Sequence, residues 1–168
     1  TWGSSPRPIG SLLACNSKGE VSGSLSGGCA EEDLIDKLLR GEHAANGPEQ
    51  IRYGVQKAES DRLGLPCGGR LEVLAEPIAS DLENRNGFSG ILEALDSRRC
   101  IQRTLDLESG TQLIETVEQY QPLSIDTQYL IQYFGPRYRL LLIGAGQIAS
   151  YLSDMARSVD FQVLVCDP

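Results

Sequence analysis

The chain has 168 residues, 40% of them hydrophobic, which is enough for one ordinary domain or two small ones with a real core. Its 15 Lys and Arg stand against 23 Asp and Glu, and the resulting net charge of −8 speaks against an electrostatic nucleic-acid footprint. The five cysteines, at positions 15, 29, 67, 100 and 166, are odd in number and scattered, and neither a signal peptide nor a bilayer-length apolar run accompanies them, so a reducing, cytoplasmic setting and no membrane partner are expected.

In chain order, Thr1 to Pro8 reads as an extended loop, because proline disfavours helix at itself and at the residue before it; Arg7 is the loop's cation. Ile9 to Cys15 and Glu20 to Leu25 are expected strands joined at Asn16-Ser17-Lys18-Gly19, a hairpin turn with glycine where positive φ is needed. The second strand leads into Gly27-Gly28-Cys29-Ala30-Glu31. A helix is predicted from Ala30 to Arg40, with Leu34, Ile35, Leu38 and Leu39 on one face, Glu31, Glu32 and Asp33 in the first turn, and Gly41 as the stop.

A near mirror of the first glycine loop follows at Leu65-Pro66-Cys67-Gly68-Gly69. Paired glycines have no Cβ in the way, so a ligand can lie against main-chain N–H groups, and a thiol beside them is presented to it. The orphan N–H groups of the helix start favour an anion and a Cys29 thiolate, whereas the three nearby carboxylates oppose it. The alternative is that Cys29 and Cys67 are small buried residues beside structural turns. Zinc is set aside, since His43 is the only histidine and no C-x-x-C pair is present.

Between the loops, His43 to Pro48 reads as a polar loop with a solvated His43, and Ile51 to Val55 as a strand. Arg70 to Glu76 reads as a strand with Leu71, Val73 and Ala75 on one face. Asp81 to Gly87 is polar, and Phe88 to Arg98 a helix with Phe88, Ile91, Leu92 and Leu95 facing the core. Cys100 to Leu107 and Thr111 to Glu118 form a second hairpin, and Tyr129 to Phe134 an aromatic strand ending at Gly135-Pro136, where a domain boundary is expected.

After that boundary the character changes: residues 137–168 carry three basic and three acidic groups and are neutral. The run Arg139 to Ile143 suits a buried parallel strand, Gly144-Ala145-Gly146-Gln147-Ile148-Ala149 opens an amphipathic helix to Ser158, and Phe161 to Cys166 is the next strand, with Cys166 a buried residue within it. In this G-x-G-x-x-A context Gly144 makes the tight turn and Gly146 lets a pyrophosphate approach the helix start. Ala149 allows close helix–strand packing, and Asp167 is placed for a ribose hydroxyl. The fold class expected is α/β: a mixed α+β domain over residues 1–136, then the start of a Rossmann-like βαβ unit over 137–168. Two strands cannot bury both faces of a sheet, so further strands are expected from beyond the chain or from a partner. A chain that starts without Met and stops one residue after Asp167 is expected to be a fragment or processed form.

Four motifs taken together, Gly3-Ser4-Ser5-Pro6-Arg7-Pro8-Ile9-Gly10, Gly23 to Glu31, Leu63 to Gly69, and Leu141 to Ala149 through Asp167-Pro168, resemble the XdhC/CoxI family, the accessory proteins of xanthine dehydrogenase and related molybdenum hydroxylases. The resemblance implies a carrier and chaperone more than a catalyst. Such a protein binds the molybdenum cofactor (molybdopterin), protects it while a cysteine desulfurase supplies sulfur to exchange Mo=O for Mo=S, and passes it to a xanthine dehydrogenase-like hydroxylase. It also implies a homodimer. The cofactor site it implies comprises Arg7, Gly27, Gly28, Cys29, Glu31, Cys67, Gly68 and Gly69. Arg7 and the loop N–H groups could hold its phosphate, with Cys29 and Cys67 as possible molybdenum ligands, which of the two being left open. Gly144, Gly146, Ala149 and Asp167 form a possible nucleotide site. Two readings compete with cofactor delivery: a nicotinamide-dependent oxidoreductase built on that second site, and a non-catalytic interaction module.

Overall fold

The computed structural model describes residues 7–25, 29–54 and 71–167, with the Cys29 side chain outside the description. The chain packs as two units, Thr1–Ile78 with Leu107–Gly110, and Ala79–Asp106 with Thr111–Pro168. The expected boundary after residue 136 falls inside the second of these.

The first unit opens with β1 (Leu13–Cys15) and β2 (Val21–Gly23), an antiparallel hairpin shorter than the sequence suggests. Its turn is an Asx turn: the Asn16 side-chain oxygen accepts from the backbone N–H of Lys18 and of Glu20, each at 3.0 Å, and Gly19 takes φ +79°. Helix α1 (Cys29–Leu39) follows. It ends in a Schellman motif, with Glu42 N–H on the Lys37 carbonyl (2.9 Å), Gly41 N–H on the Leu38 carbonyl (3.0 Å) and Gly41 at φ +71°.

Antiparallel β3 (Glu49–Tyr53) and β4 (Leu71–Ala75) are the remaining strands described in this unit. Strand alternation turns Ile51 and Tyr53, and opposite them Leu71, Val73 and Ala75, onto one face. That face and the α1 residues Ala30 and Leu34 enclose a core that also takes in Ala44, with Leu25 and Leu38 at its margin. Lys37 spans the rim of this core, its ammonium 2.7 Å from Asp33 and 5.4 Å above the Tyr53 ring.

His43 is not the solvated loop residue expected. Its Nδ1 lies 2.8 Å from Glu49 Oε1, while Glu49 Oε2 accepts from the Ala44 N–H at 2.6 Å. The carboxylate thereby fixes Ala44, which sits at φ +54°, as the loop enters β3.

In the second unit, helix α2 (Leu82–Asp96) starts six residues before the predicted Phe88. Asp81 caps it by accepting from Asn84 N–H at 2.8 Å, so the polar stretch expected ahead of the helix is its first turns. Ile91 and Ala94 are the residues it buries, and Phe88 packs alongside; Leu92 and Leu95, expected in the core, lie exposed.

The sheet beneath α2 has the order β6-β5-β8-β7, from β5 (Cys100–Asp106), β6 (Gln112–Val117), β7 (Ser124–Ile125) and β8 (Tyr129–Phe134), all neighbours antiparallel. The two-residue β7 is an edge strand that the sequence pattern does not reveal. Ile101, Arg103 and Leu105 alternate toward one face, where Ile101 joins Phe88, Ile91, Ala94, Ile114 and Phe134. Arg103 is only 3% exposed. Its Nε donates to Gln112 Oε1 (2.7 Å) and one terminal nitrogen to Gln132 Oε1 (2.9 Å), with the guanidinium 5.5 Å from the Phe88 ring centroid. Gln112 in turn donates to Asn84 Oδ1 at 2.8 Å, which ties the first turn of α2 to the strand.

The chain leaves β8 through Gly135, at φ +131°, where a Cβ would stand 2.6 Å from the Arg99 carbonyl oxygen. The Cys100 thiol donates to the Pro136 carbonyl at 3.6 Å, and the Arg137 guanidinium lies 5.2 Å from the centroid of Tyr120, itself against Tyr133. Then come β9 (Tyr138–Ile143), α3 (Gln147–Arg157) and β10 (Phe161–Cys166), with β9 and β10 parallel in an unbroken register from Tyr138↔Phe161 to Ile143↔Cys166. The βαβ unit expected from the sequence is present. Its strands are not buried on both faces: Leu141, Ile143, Leu164 and Cys166 share one face and are all exposed, which also corrects the reading of Cys166 as buried.

Two tests follow from these contacts. The Ala44 N–H, the His43 ring hydrogen bond and, to a lesser degree, the His43 charge hold the Glu49 carboxyl below its ordinary value, outweighing the small opposing effect of burial. A depressed carboxyl stabilises the fold above the unfolded-state carboxylate value, and that stability is lost as pH falls through the folded-state value. In urea titrations Glu49→Gln is therefore expected to be less stable than wild type at neutral pH and to converge with it in acid. Arg103→Met leaves the Gln112 and Gln132 side-chain oxygens without their cation and is expected to cost about 2 kcal/mol by the same measurement. Arg103→Lys, which keeps the charge but not the planar fork, should recover only part of it.

Candidate functional site

The first glycine loop is described at its two ends. Before it, Ser24 N–H closes the hairpin on the Leu12 carbonyl at 3.0 Å. After it, α1 begins at Cys29, which makes Glu31 the third residue of the helix. One oxygen of Glu31, Oε1, accepts from the Ser24 hydroxyl (2.8 Å) and from the Leu25 N–H (2.7 Å). A glutamate at this position ordinarily reaches back to the N-cap N–H in a capping box. Here it reaches past the glycines and closes the loop at its base.

This contact also bears on the electrostatics around Cys29. Of the three carboxylates expected to oppose a thiolate, Glu31 is engaged by the loop and Asp33 by Lys37, leaving Glu32 on the exposed side of the helix. Glu31 remains suited to the positive end of the helix dipole.

Gly27 and Gly28, and Cys67, Gly68 and Gly69 of the second loop, lie outside the described residues, as does the Cys29 thiol. Arg7 is described and exposed. Among the described residues no group of three or more His, Cys, Asp or Glu side chains could hold a metal ion. The described cysteines differ in environment: Cys15 is half-buried, Cys166 exposed, and Cys100 buried. Burial pushes the Cys100 thiol up, more than the nearby Arg139 charge and the Tyr120 backbone contact pull it down, so it is a poor nucleophile.

The second set of candidates does come together. Gly144 takes φ +99°, which favours glycine, and its N–H donates to the Cys166 carbonyl at 2.7 Å. That bond extends the β9–β10 ladder by one rung and brings Asp167, the next residue, beside the glycine turn. Gly146 is the N-cap of α3 with extended backbone and no side-chain cap, and Ala149 is half-buried one turn in. A Cβ at either glycine would meet nothing within 4 Å, so the turn opens outward. Gly144, Gly146, Ala149 and Asp167 thus share one end of the βαβ unit.

Two features are not read from the sequence. His43 and Glu49 are separated by a loop, and nothing in their spacing marks them as a pair. Arg103 could have been found, because strand alternation places it between Ile101 and Leu105 on the core side.

Known proteins supply a context for this geometry. Residues 1–54 match the model of the XdhC and CoxI family. A probable xanthine dehydrogenase subunit from Bacillus subtilis (strain 168) is 28% identical over 192 aligned positions, covering 98% of this chain and 56% of that protein. The crystal structure of a xanthine dehydrogenase from Bacillus halodurans matches at a TM-score of 0.60 and 23% identity, over 97% of this chain and 54% of that one, a likeness of fold. The chain spans about half the length of these relatives. Among the described residues no helix is long and apolar enough to cross a membrane. The first 54 residues, through the Gly27-Gly28-Cys29 loop, are thus similar to the XdhC and CoxI family, and nearly the whole chain aligns with a probable xanthine dehydrogenase subunit.

Proposed function

We propose that the chain is the cofactor-binding portion of a xanthine dehydrogenase accessory protein. It takes up the molybdenum cofactor in the cytoplasm, shields it while a cysteine desulfurase provides sulfur, and releases it to a xanthine dehydrogenase-like molybdenum hydroxylase. The observation that carries this reading is the family match over residues 1–54, which contains the loop closed by Glu31. In this role the cofactor is cargo, and the protein binds and protects it without turning it over.

The donor chemistry of the two loops suits that cargo. Thiolates such as Cys29 and Cys67 are soft ligands matched to a sulfur-held molybdenum, and the N–H groups of Gly27, Gly28, Gly68 and Gly69, with the Arg7 guanidinium, suit the phosphate of molybdopterin. Glu31 has a positioning role: by holding Leu25 and Ser24 it sets where the loop enters α1. We read the βαβ unit as the start of a Rossmann-like domain, with Gly144, Gly146, Ala149 and Asp167 as the place for a nucleotide.

The test is cofactor retention, read as pterin fluorescence of protein purified from a molybdopterin-producing host. Cys29→Ala and Cys67→Ala are each expected to lower bound pterin on the order of tenfold with unchanged circular dichroism. Undiminished pterin in the double variant overturns the cysteine assignment. Glu31→Ala should lower retention less, and Glu31→Gln, which still accepts from the Leu25 N–H, should restore most of it.

A further inference from the structure

Asn-Gly occurs twice in the chain, at Asn46-Gly47 and at Asn86-Gly87, and the fold treats the two pairs differently. An asparagine followed by glycine is open to attack by the next backbone nitrogen on the side-chain amide, because no Cβ shields that nitrogen. Asn86-Gly87 lies inside α2, where the Gly87 N–H belongs to the helical ladder, and a Cβ at Gly87 would stand 3.0 Å from Ile114 Cδ1 on β6. Asn46-Gly47 lies in the loop between α1 and β3. Asn46 is exposed, and among the described residues neither its amide nor the Gly47 N–H has a hydrogen-bond partner. A Cβ at Gly47 would meet nothing within 4 Å, so this second nitrogen is sterically open where the first is packed.

We infer that Asn46 is a self-modification site, where the fold permits a deamidation that it suppresses at Asn86. The Gly47 nitrogen gives up its proton and bonds to Asn46 Cγ, the Cγ–Nδ2 bond breaks, and the side-chain nitrogen takes up the proton and leaves as ammonia. Water then opens the five-membered succinimide. Cleavage of its Cγ–N bond yields aspartate. Cleavage between the Asn46 main-chain carbonyl and the Gly47 nitrogen yields isoaspartate, with the chain now running through Cβ and Cγ. One water enters, one ammonia leaves, and neither an oxidant nor a reductant is needed. The position gives the product an effect. Glu49 clasps the stretch 43–49 through the His43 ring and the Ala44 N–H, and Asn46 is in the middle of that short span. An isoaspartate there lengthens the main chain by one carbon and weakens the clasp at the entry to β3, whose Ile51 and Tyr53 are core residues.

No cofactor enters this reaction, and it is followed on the whole 168-residue chain aged in mildly alkaline buffer, where the amide nitrogen loses its proton more readily. Peptide mapping by mass spectrometry in heavy-oxygen water, with labelling by an isoaspartyl methyltransferase, locates the product. Asn46 is expected to convert on the order of tenfold faster than Asn86 in the native chain, and the two rates to converge in strong urea, where α2 no longer holds Gly87. Asn46→Gln, whose longer side chain closes a six-membered ring far more slowly, should remove the fast step and the isoaspartyl label. The isoaspartyl fraction should unfold at lower urea than Asn46→Asp, which has the same charge and an ordinary main chain. An Asn46 that outlasts Asn86 overturns the inference. So does a rate ratio that is the same in urea, which would trace it to neighbouring sequence and not to the fold. An isoaspartyl fraction as stable as Asn46→Asp overturns the effect on the clasp.

Discussion

Strand β5 is the constraint on which the second unit depends. It is hydrogen-bonded along both edges, to β6 and to β8, and its inward residues form the floor on which α2 rests. In the middle of that floor is a cation. Arg103 would be costly to bury alone, and it is held by two glutamine side-chain oxygens and the Phe88 ring face. Because the guanidinium fork is planar, it satisfies Gln112 on one neighbouring strand and Gln132 on the other only when all three strands are in register. A one-residue slip would turn Arg103 to the opposite face and leave both amides behind. Through Gln112 and Asn84 the same network fixes where α2 begins.

The first unit relies on a comparable economy of carboxylates. Glu31 closes one loop against the start of α1, and Glu49 closes another against the start of β3, each by accepting backbone N–H groups that the loop would otherwise leave to water. Both act where an irregular segment enters a regular one. Leu25 is thereby attached to a helix whose buried side carries Ala30 and Leu34.

Much of this is legible in the residues alone, and the reason is periodicity. Alternation over Leu71 to Ala75 and Cys100 to Asp106, the helical pattern closed by Gly41, and the apolar run leading into Gly144 each report local geometry directly. What the pattern misplaces depends on partners distant in sequence. The start of α2 is hidden by Asn84, Asn86 and Gly87, poor helix formers whose cost is offset by the Asp81 cap and by the Gln112 contact from another strand. His43 looks like an ordinary loop residue because Glu49 enters only through the fold. Leu92 and Leu95 fit a core stripe, but the helix is rotated to bury Ile91 and Ala94. The two cysteine loops are marked as candidates by composition alone, and spacing gives no information on whether two such loops meet.

Gly135 has a mechanical consequence for how the two halves of the second unit communicate. Backbone contacts there are too tight for a side chain, the Cys100 thiol reaches over to Pro136, and Arg137 is laid on Tyr120 within a single turn of chain. The joint between β8 and β9 is therefore braced on both sides of Gly135, by Arg99 and Cys100 and by Tyr120. A load applied to the βαβ unit would pass through these contacts to the first residues of β5.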